Sequence, residues 1–248
     1  AVNSLYRGAR ATLDNSGPAI QGLLGLANDQ AAWGGALRVN VRSFFSEDAL
    51  GAFIQQFDDL SVSRGRFTSA EWARFGIQIG GKQTEFMLGQ GFAKRLGELP
   101  GMRQANRAFG NFGDALRLGW ADDLLKTEIK RGRTLAEVQV SGDLERIARI
   151  ANNMTGWSKG KAFSSLGDVL FFAPRFLQAR LETLVQAVMS LRPGASLNQR
   201  IARQSMIRAV GYGTLLTVAV NEALGQETDF HPISNGRWNP NFMRIRAL

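Results

Sequence analysis

Along this chain apolar residues recur at three- and four-residue steps, interrupted by Gly, Pro and short polar runs, which predicts a succession of amphipathic helices. Pro18 suits a first helical turn, with Ile20, Leu23, Leu24 and Ala27 on one face. Asp29 is placed to cap a helix carrying Trp33, Leu37, Val41, Phe44 and Phe45. Ser46 is placed to cap the next, in which Leu50, Phe53, Ile54 and Phe57 align. Thr68-Ser69-Ala70-Glu71 is a capping box opening a helix through Trp72, Phe75 and Ile79.

Gly80-Gly81 breaks that helix, another resumes from Phe86 to Leu96, and Pro100-Gly101 marks a turn. From Met102 to Lys130 one long helix is expected, with Ala105, Phe109, Phe112, Leu116, Trp120 and Leu124 in step, and Gly132 ends it. Asp143 to Met154 is amphipathic through Leu144, Ile147, Ala148, Ala151 and Met154, and Gly156 to Gly160 reads as a loop. Pro174 opens a helix whose Phe176, Leu177, Leu181, Leu184, Val185 and Val188 face one way. Pro193-Gly194 turns the chain, and Ser196 caps a final helix reaching Leu224.

After Gly225 the character changes to Pro, Asn and Gly, and the alternation of Phe242-Met243-Arg244-Ile245-Arg246 suggests a short strand or hairpin. The fold class is therefore all-α: an array of amphipathic helices over residues 1–225, with a possible sub-boundary near 132–142, and an extended tail over 226–248. No internal repeat or low-complexity linker is present.

Composition adds a partner class. The 248 residues are 44% apolar, enough to fill a core. Lys and Arg number 30 against 21 Asp and Glu, and the net charge of +9 favours an acidic partner such as nucleic acid or an anionic membrane surface. Arg200, Arg203 and Arg208, with Arg192 nearby, form a stripe along the last helix. Arg131, Arg133, Lys159 and Lys161 cluster on loops around the central helix pair. Such residues suit phosphate backbones without reading sequence, and equally suit a solvated basic face. Only Trp157, beside Lys159, offers a base-stacking ring among them.

Catalytic chemistry finds little footing. There is no Cys and only one His, His231, in a Pro-flanked tail that suits a hydrogen-bonded turn. No metal or cofactor site is expected. Asp58-Asp59 and Asp122-Asp123 are adjacent pairs that diverge by about 100° on a helix, so they read as solvated surface. Gly76 to Lys82 carries the glycine and lysine spacing of a phosphate loop, but Gln83 occupies the hydroxyl position and a capped helix precedes it. The uncharged stretch Ala209–Asn221, 13 residues long, falls short of the ~20 needed to span a bilayer. A buried core helix is the default there; a membrane interface or an oligomeric channel is the other reading.

Four short strings add a resemblance: Asp14-Asn15-Ser16-Gly17-Pro18-Ala19-Ile20-Gln21-Gly22, Ala151-Asn152-Asn153-Met154-Thr155-Gly156, Phe171-Phe172-Ala173-Pro174-Arg175 and Asp229-Phe230. In that order the chain resembles a segment of the large polyvalent proteins of tailed bacteriophages and prophages, best from Gly142 to Arg175. Trp157-Ser158 stands where that segment commonly has Arg-Gly, and His231-Pro232 where it has Gly-Lys. The resemblance implies a non-enzymatic virion protein, in the capsid interior or at the portal–tail axis. It also implies assembly as a homo-oligomeric ring with other virion proteins, non-specific contact with DNA, and ejection that brings it to the host cell envelope and its membrane. No catalytic residue carries over. A sequence-independent nucleic-acid-binding module is the alternative, and a hydrolase domain of a larger phage protein a more distant one. The start at Ala1, without a signal core in Ala1–Arg10, fits a processed product or a portion of a longer polypeptide, and the resemblance favours the portion.

Overall fold

A computed structural model describes residues 22–80, 101–157, 174–234 and 236–245, and of Leu23, 174–178 and Arg180 the backbone alone. Among these residues the chain is helical apart from a two-stranded hairpin. The helices are α1 (Leu23–Asn28), α2 (Gln30–Phe45), α3 (Ala49–Ser63), α4 (Ser69–Arg74), α5 (Met102–Lys130), α6 (Leu135–Val140), α7 (Asp143–Met154), α8 (Pro174–Met189) and α9 (Leu197–Ala223). The expected helix from Phe86 to Leu96 and the turn around Pro18 lie outside the described residues.

α5 is the centre. Its middle turns are covered on nearly every side: Phe112, Ala115, Leu116, Leu118, Trp120 and Ala121 are buried, and so are Asp114, Arg117 and Asp122 among them. α2 lies along one flank, where Ala36 and Val39 meet Phe112, Ala115 and Leu116. α7 covers another, where Leu144, Ile147, Ala151 and Met154 join Leu118, Trp120 and Leu125 in the main core. α9 packs on α7, α8 and α1, which closes the array. Close approach requires glycine at two points. A Cβ on Gly119 would sit 3.1 Å from the Ala32 Cβ, and one on Gly25 2.9 Å from Leu116 Cδ2.

The local signals behave as their chemistry demands. Asp29 accepts the Ala32 N–H at 2.8 Å, and Thr68 and Glu71 cap each other's backbone. α5, α7 and the start of α8 fall where periodicity places them. Ser46 lies before its helix: Asp48 is the first flanking residue of α3, and Ser46 Oγ accepts its N–H at 3.3 Å. α4 stops at Arg74, not past Ile79, because Gly76 turns the chain with φ 104°. α6 was not expected; Thr134 and Glu137 form the capping box that opens it.

Two apolar stripes face solvent, and one expectation of burial is overturned. On α2 the buried positions are Ala36, Val39, Asn40 and Ser43, whereas Val41, Phe44 and Phe45 are exposed. On α8 the described large apolar residues Leu181, Leu184, Val185 and Val188 share a face, but that face is exposed. The uncharged stretch of α9 is not a core helix either, since Val210, Tyr212, Leu215 and Leu216 are exposed and only Thr217 and Asn221 are covered. In each case short or polar side chains face the neighbours.

Acidic pairs also depart from a solvated reading. Asp122 is buried and holds Arg66 at 2.7 Å and Lys126 at 3.1 Å. Asp58 caps α4 through the Ser69 N–H and hydroxyl at 2.6 and 2.8 Å. In the tail the hairpin is β1 (Ile233–Ser234) and β2 (Arg237–Trp238), earlier than the alternation of 242–246 suggests; Phe242 makes only an isolated bridge to Asp229.

Candidate nucleic-acid interface

α9 buries Ile201, Ala202 and Ser205 on its inner side, so residues three and four apart on its outer side, Arg200, Arg203, Gln204, Ile207 and Arg208, share one exposed face. The C-terminal end of α5 abuts these turns and adds Arg131. Together with Ile201 these residues line an open groove of about 450 Å³. Four guanidinium groups from two elements remote in sequence therefore border one concavity, and among the described residues no carboxylate lines it.

The four differ in freedom. Arg131 terminates α5 and pairs with the buried Glu128, yet stays half exposed. Arg203 and Arg208 reach backbone oxygens of Ser190 and Asn28 only at 3.5 and 3.4 Å, long for such bonds, so most of their five donors face water. Arg200 has no hydrogen-bond or ion-pair partner among the described residues. From Arg200 to Arg208 is about 12 Å along the helix, a length over which one strand of duplex DNA presents roughly three phosphates.

Arg133 belongs elsewhere. It donates to Asp143 Oδ2 at 2.8 Å, Glu128 Oε2 at 3.1 Å and Ser141 Oγ at 2.8 Å, tying the end of α5 to the start of α7. The bonds to Asp143 and Glu128 hold its guanidinium more firmly protonated than usual. Burial works against ionising Asp143, but hydrogen bonds from Arg133, Arg146 and Ser141 outweigh it and hold that carboxyl below its ordinary range. Glu128 and Asp143 are shared by Arg131, Arg133 and Arg146, so this junction keeps a positive excess beside the groove. Lys159 and Lys161 lie outside the described residues. Trp157 is half-buried, its backbone N–H donating to the Asn152 carbonyl at 2.9 Å.

The string Asn152 to Thr155 has a structural task. Asn152 Nδ2 donates to the Gly76 carbonyl at 2.8 Å, and its Oδ1 accepts the Gln78 N–H at 3.1 Å. Arg117, fully buried, donates to the Gln78 carbonyl, to Asp114 Oδ1 and to Thr155 Oγ1 at 2.7, 2.6 and 2.9 Å. Asp114 Oδ2 accepts the Gly80 N–H at 2.7 Å. The extended segment 76–80 is thus stitched to α5 and α7 by side chains. Two amides that a phosphate loop would offer to its ligand are already bonded, one of them to a carboxylate. Burial pushes the Asp114 carboxyl up and the Arg117 guanidinium down, each opposed by the other's charge.

Asp229 organises the tail in the same way. Its carboxylate accepts the His231 N–H at 2.9 Å and Asn239 Nδ2 at 2.7 Å, while the exposed His231 ring lies 3.2 Å from the same oxygen as the first. The His231 N–H and the Asn239 amide hold Asp229 below its usual pKa. Among the described residues no cluster of three or more His, Asp and Glu side chains is arranged to hold a metal ion. Gln204, Ile201 and Ile207 are groove residues that a search for charge misses; for Gln204 its place four residues after Arg200 is the available signal. Comparison of the chain with protein-family models, with curated proteins and with solved structures finds no match.

Proposed function

We propose that this chain is a non-catalytic helical module of a tailed-phage virion protein that holds nucleic acid by its backbone. One observation carries the reading: Arg131, Arg200, Arg203 and Arg208 converge on a groove that no carboxylate among the described residues lines. Guanidinium groups recognise phosphate oxygens through paired N–H donors, and a helix stripe of them follows a strand without reading base edges. The ordered signatures support the phage assignment, and the exposed apolar residues of α2 and α9, such as Phe45 and Leu215, suit assembly with further copies or other virion proteins.

Titration of two unrelated duplexes by fluorescence anisotropy over a range of salt tests the binding. Equal affinities that fall steeply with salt are expected, with the slope reduced by about 0.9 for each arginine removed in R131A, R200A and R208A. Absence of binding at low salt, or a slope indifferent to these substitutions, would overturn it. Mass spectrometry of purified virions tests the phage assignment separately.

A further inference from the structure

Tyr212 stands where the arginine stripe of α9 runs out. Arg200, Gln204, Arg208 and Tyr212 follow one another at four-residue steps and form one row along the helix. Two contacts fix the last pair on the same side. Arg208 reaches toward the Asn28 carbonyl at 3.4 Å, and the Tyr212 hydroxyl accepts from Gln30 Nε2 at 2.5 Å. Both therefore face the junction of α1 and α2, and the ring extends the groove by one turn. It is 43% exposed, with its hydroxyl end held in place.

The residues beside this ring are unusual for a helix interior. Gly211 and Gly213 flank it, although glycine is the poorest helix former after proline. Neither adopts a positive φ, and a Cβ built at either position meets no atom within 4 Å apart from its chain neighbours. Backbone geometry and packing, the reason for Gly25 and Gly119, therefore do not call for them. What they leave is room on the helix surface on either side of an aromatic ring.

Charge and shape select the occupant. α9 has three arginines, all before the ring, and one acid, Glu222, ten residues beyond it. Asp29, at the α1–α2 junction, has its carboxylate turned to the Ala32 N–H. A duplex keeps its base faces stacked inside and offers this surface sugar and phosphate, partners for guanidinium groups but not for an exposed ring or for Ile207, itself 66% exposed. A single strand offers both: phosphates to Arg200, Arg203 and Arg208, and unstacked base faces to Tyr212 and Ile207. Gln204, which has no hydrogen-bond partner among the described residues, presents an amide donor and acceptor side by side, the pairing that suits a base edge. The groove of about 450 Å³ lies in the range of clefts that enclose a small ligand, a size for the sugar and base of one strand rather than for a double helix.

We propose that the groove and Tyr212 together take single-stranded nucleic acid in preference to duplex, with a base stacked on the Tyr212 ring. This rests on the groove reading above and specifies its ligand. Anisotropy titrations of labelled oligothymidylate, oligouridylate and a duplex of equal length, at one salt concentration, test it. At least one of the two single strands should bind several-fold more tightly than the duplex, and which one does separates DNA from RNA. Y212A should weaken that single-strand binding about tenfold, the effect of withdrawing one aromatic stacking partner, with duplex affinity and Tm unchanged. Y212F keeps the ring and drops the hydroxyl, and should bind the strand nearly as well as the wild type.

Equal affinity for strands and duplex, or single-strand affinity indifferent to Y212A, would overturn the proposal and leave the groove reading in place. So would a loss shared by Y212A and Y212F with a lowered Tm, which would assign the tyrosine to its bond with Gln30 and to the fold. Absence of binding to all three probes at low salt would overturn the groove reading and this proposal with it. Conversion of a wild-type dimer to monomer by Y212A, with strand affinity unchanged, would assign the ring to a second copy instead.

Discussion

α7 sits among α5, α8 and α9, and its Leu144, Ile147, Ala151 and Met154 are wholly covered; α8, at the edge of the same group, covers Ala179, Thr183 and Ala187 and leaves Leu184, Val185 and Val188 in contact with water. Both helices carry one apolar stripe at helical spacing. The difference lies in neighbours. The apolar side of α7 is enclosed, with Glu145, Arg146 and Arg149 on the exposed side, so large side chains fill the space it faces, whereas α8 meets α7 and α9 through short side chains that let the helix axes approach. An apolar stripe marks a face that some partner covers, and that partner need not be the protein's own core.

The contrast can be broken most forcefully at its two centres. Ile147→Ala in α7 should cost about 2–5 kcal/mol, as for large cavities in well-packed cores. Val188→Ala in α8 should stay within about 0.5 kcal/mol. Urea denaturation of both variants measures the gap, and equal losses would mean that the stripe of α8 is packed after all. Filling the short seam should also hurt: Ala179→Leu is expected to destabilise by about 1–3 kcal/mol through overpacking, in the same denaturation series. Asn152→Ala removes both bonds to the 76–78 backbone and should cost about 1–3 kcal/mol. Hydrogen exchange should show faster exchange of the Gln78 amide in that variant.

The smallest effects sharpen the comparison electrostatically. Asp143, at the start of α7, is held below its ordinary pKa, so its contribution to stability is fully present above the usual carboxylate range and is lost as pH falls through the lowered value. Asp114 has the opposite sign: its carboxyl is raised by burial, so its contribution is present below the usual range and fades as pH rises through the raised value. Melting curves across the acid range should therefore show a smaller low-pH decline in Asp143→Asn, and a decline that persists unchanged would remove Asp143 as one of its sources.

Much of the local structure is readable from residue order. Gly101 and Gly132 bracket α5, Pro174 begins α8, and the Thr68 and Glu71 pair opens α4, because these signals act on backbone geometry within a few residues. Two readable signals pass easily unnoticed. Thr134 and Glu137 repeat the capping box that opens α6, and Asn235-Gly236 is the dipeptide that favours a tight hairpin between β1 and β2. The arginines of the groove are legible as a list but not as a site. Arg133 is only two residues from Arg131, yet it is consumed by Glu128 and Asp143, while Arg131 joins Arg200 from 69 residues away.

The amino-acid sequence by itself determined that the chain is helical, where α5 and α7 begin and end, which residues form each apolar stripe, and that the surface is basic. Those properties follow from hydrogen bonds, caps and periodicity confined to neighbouring residues. Tertiary structure alone decided which side of α2, α8 and α9 is covered, which guanidinium groups are paired, and that Asn152, Asp114 and Arg117 hold the 76–80 segment. Burial and ion pairing are relations between segments distant along the chain. They are set by how closely whole helices pack, and no local pattern records that distance.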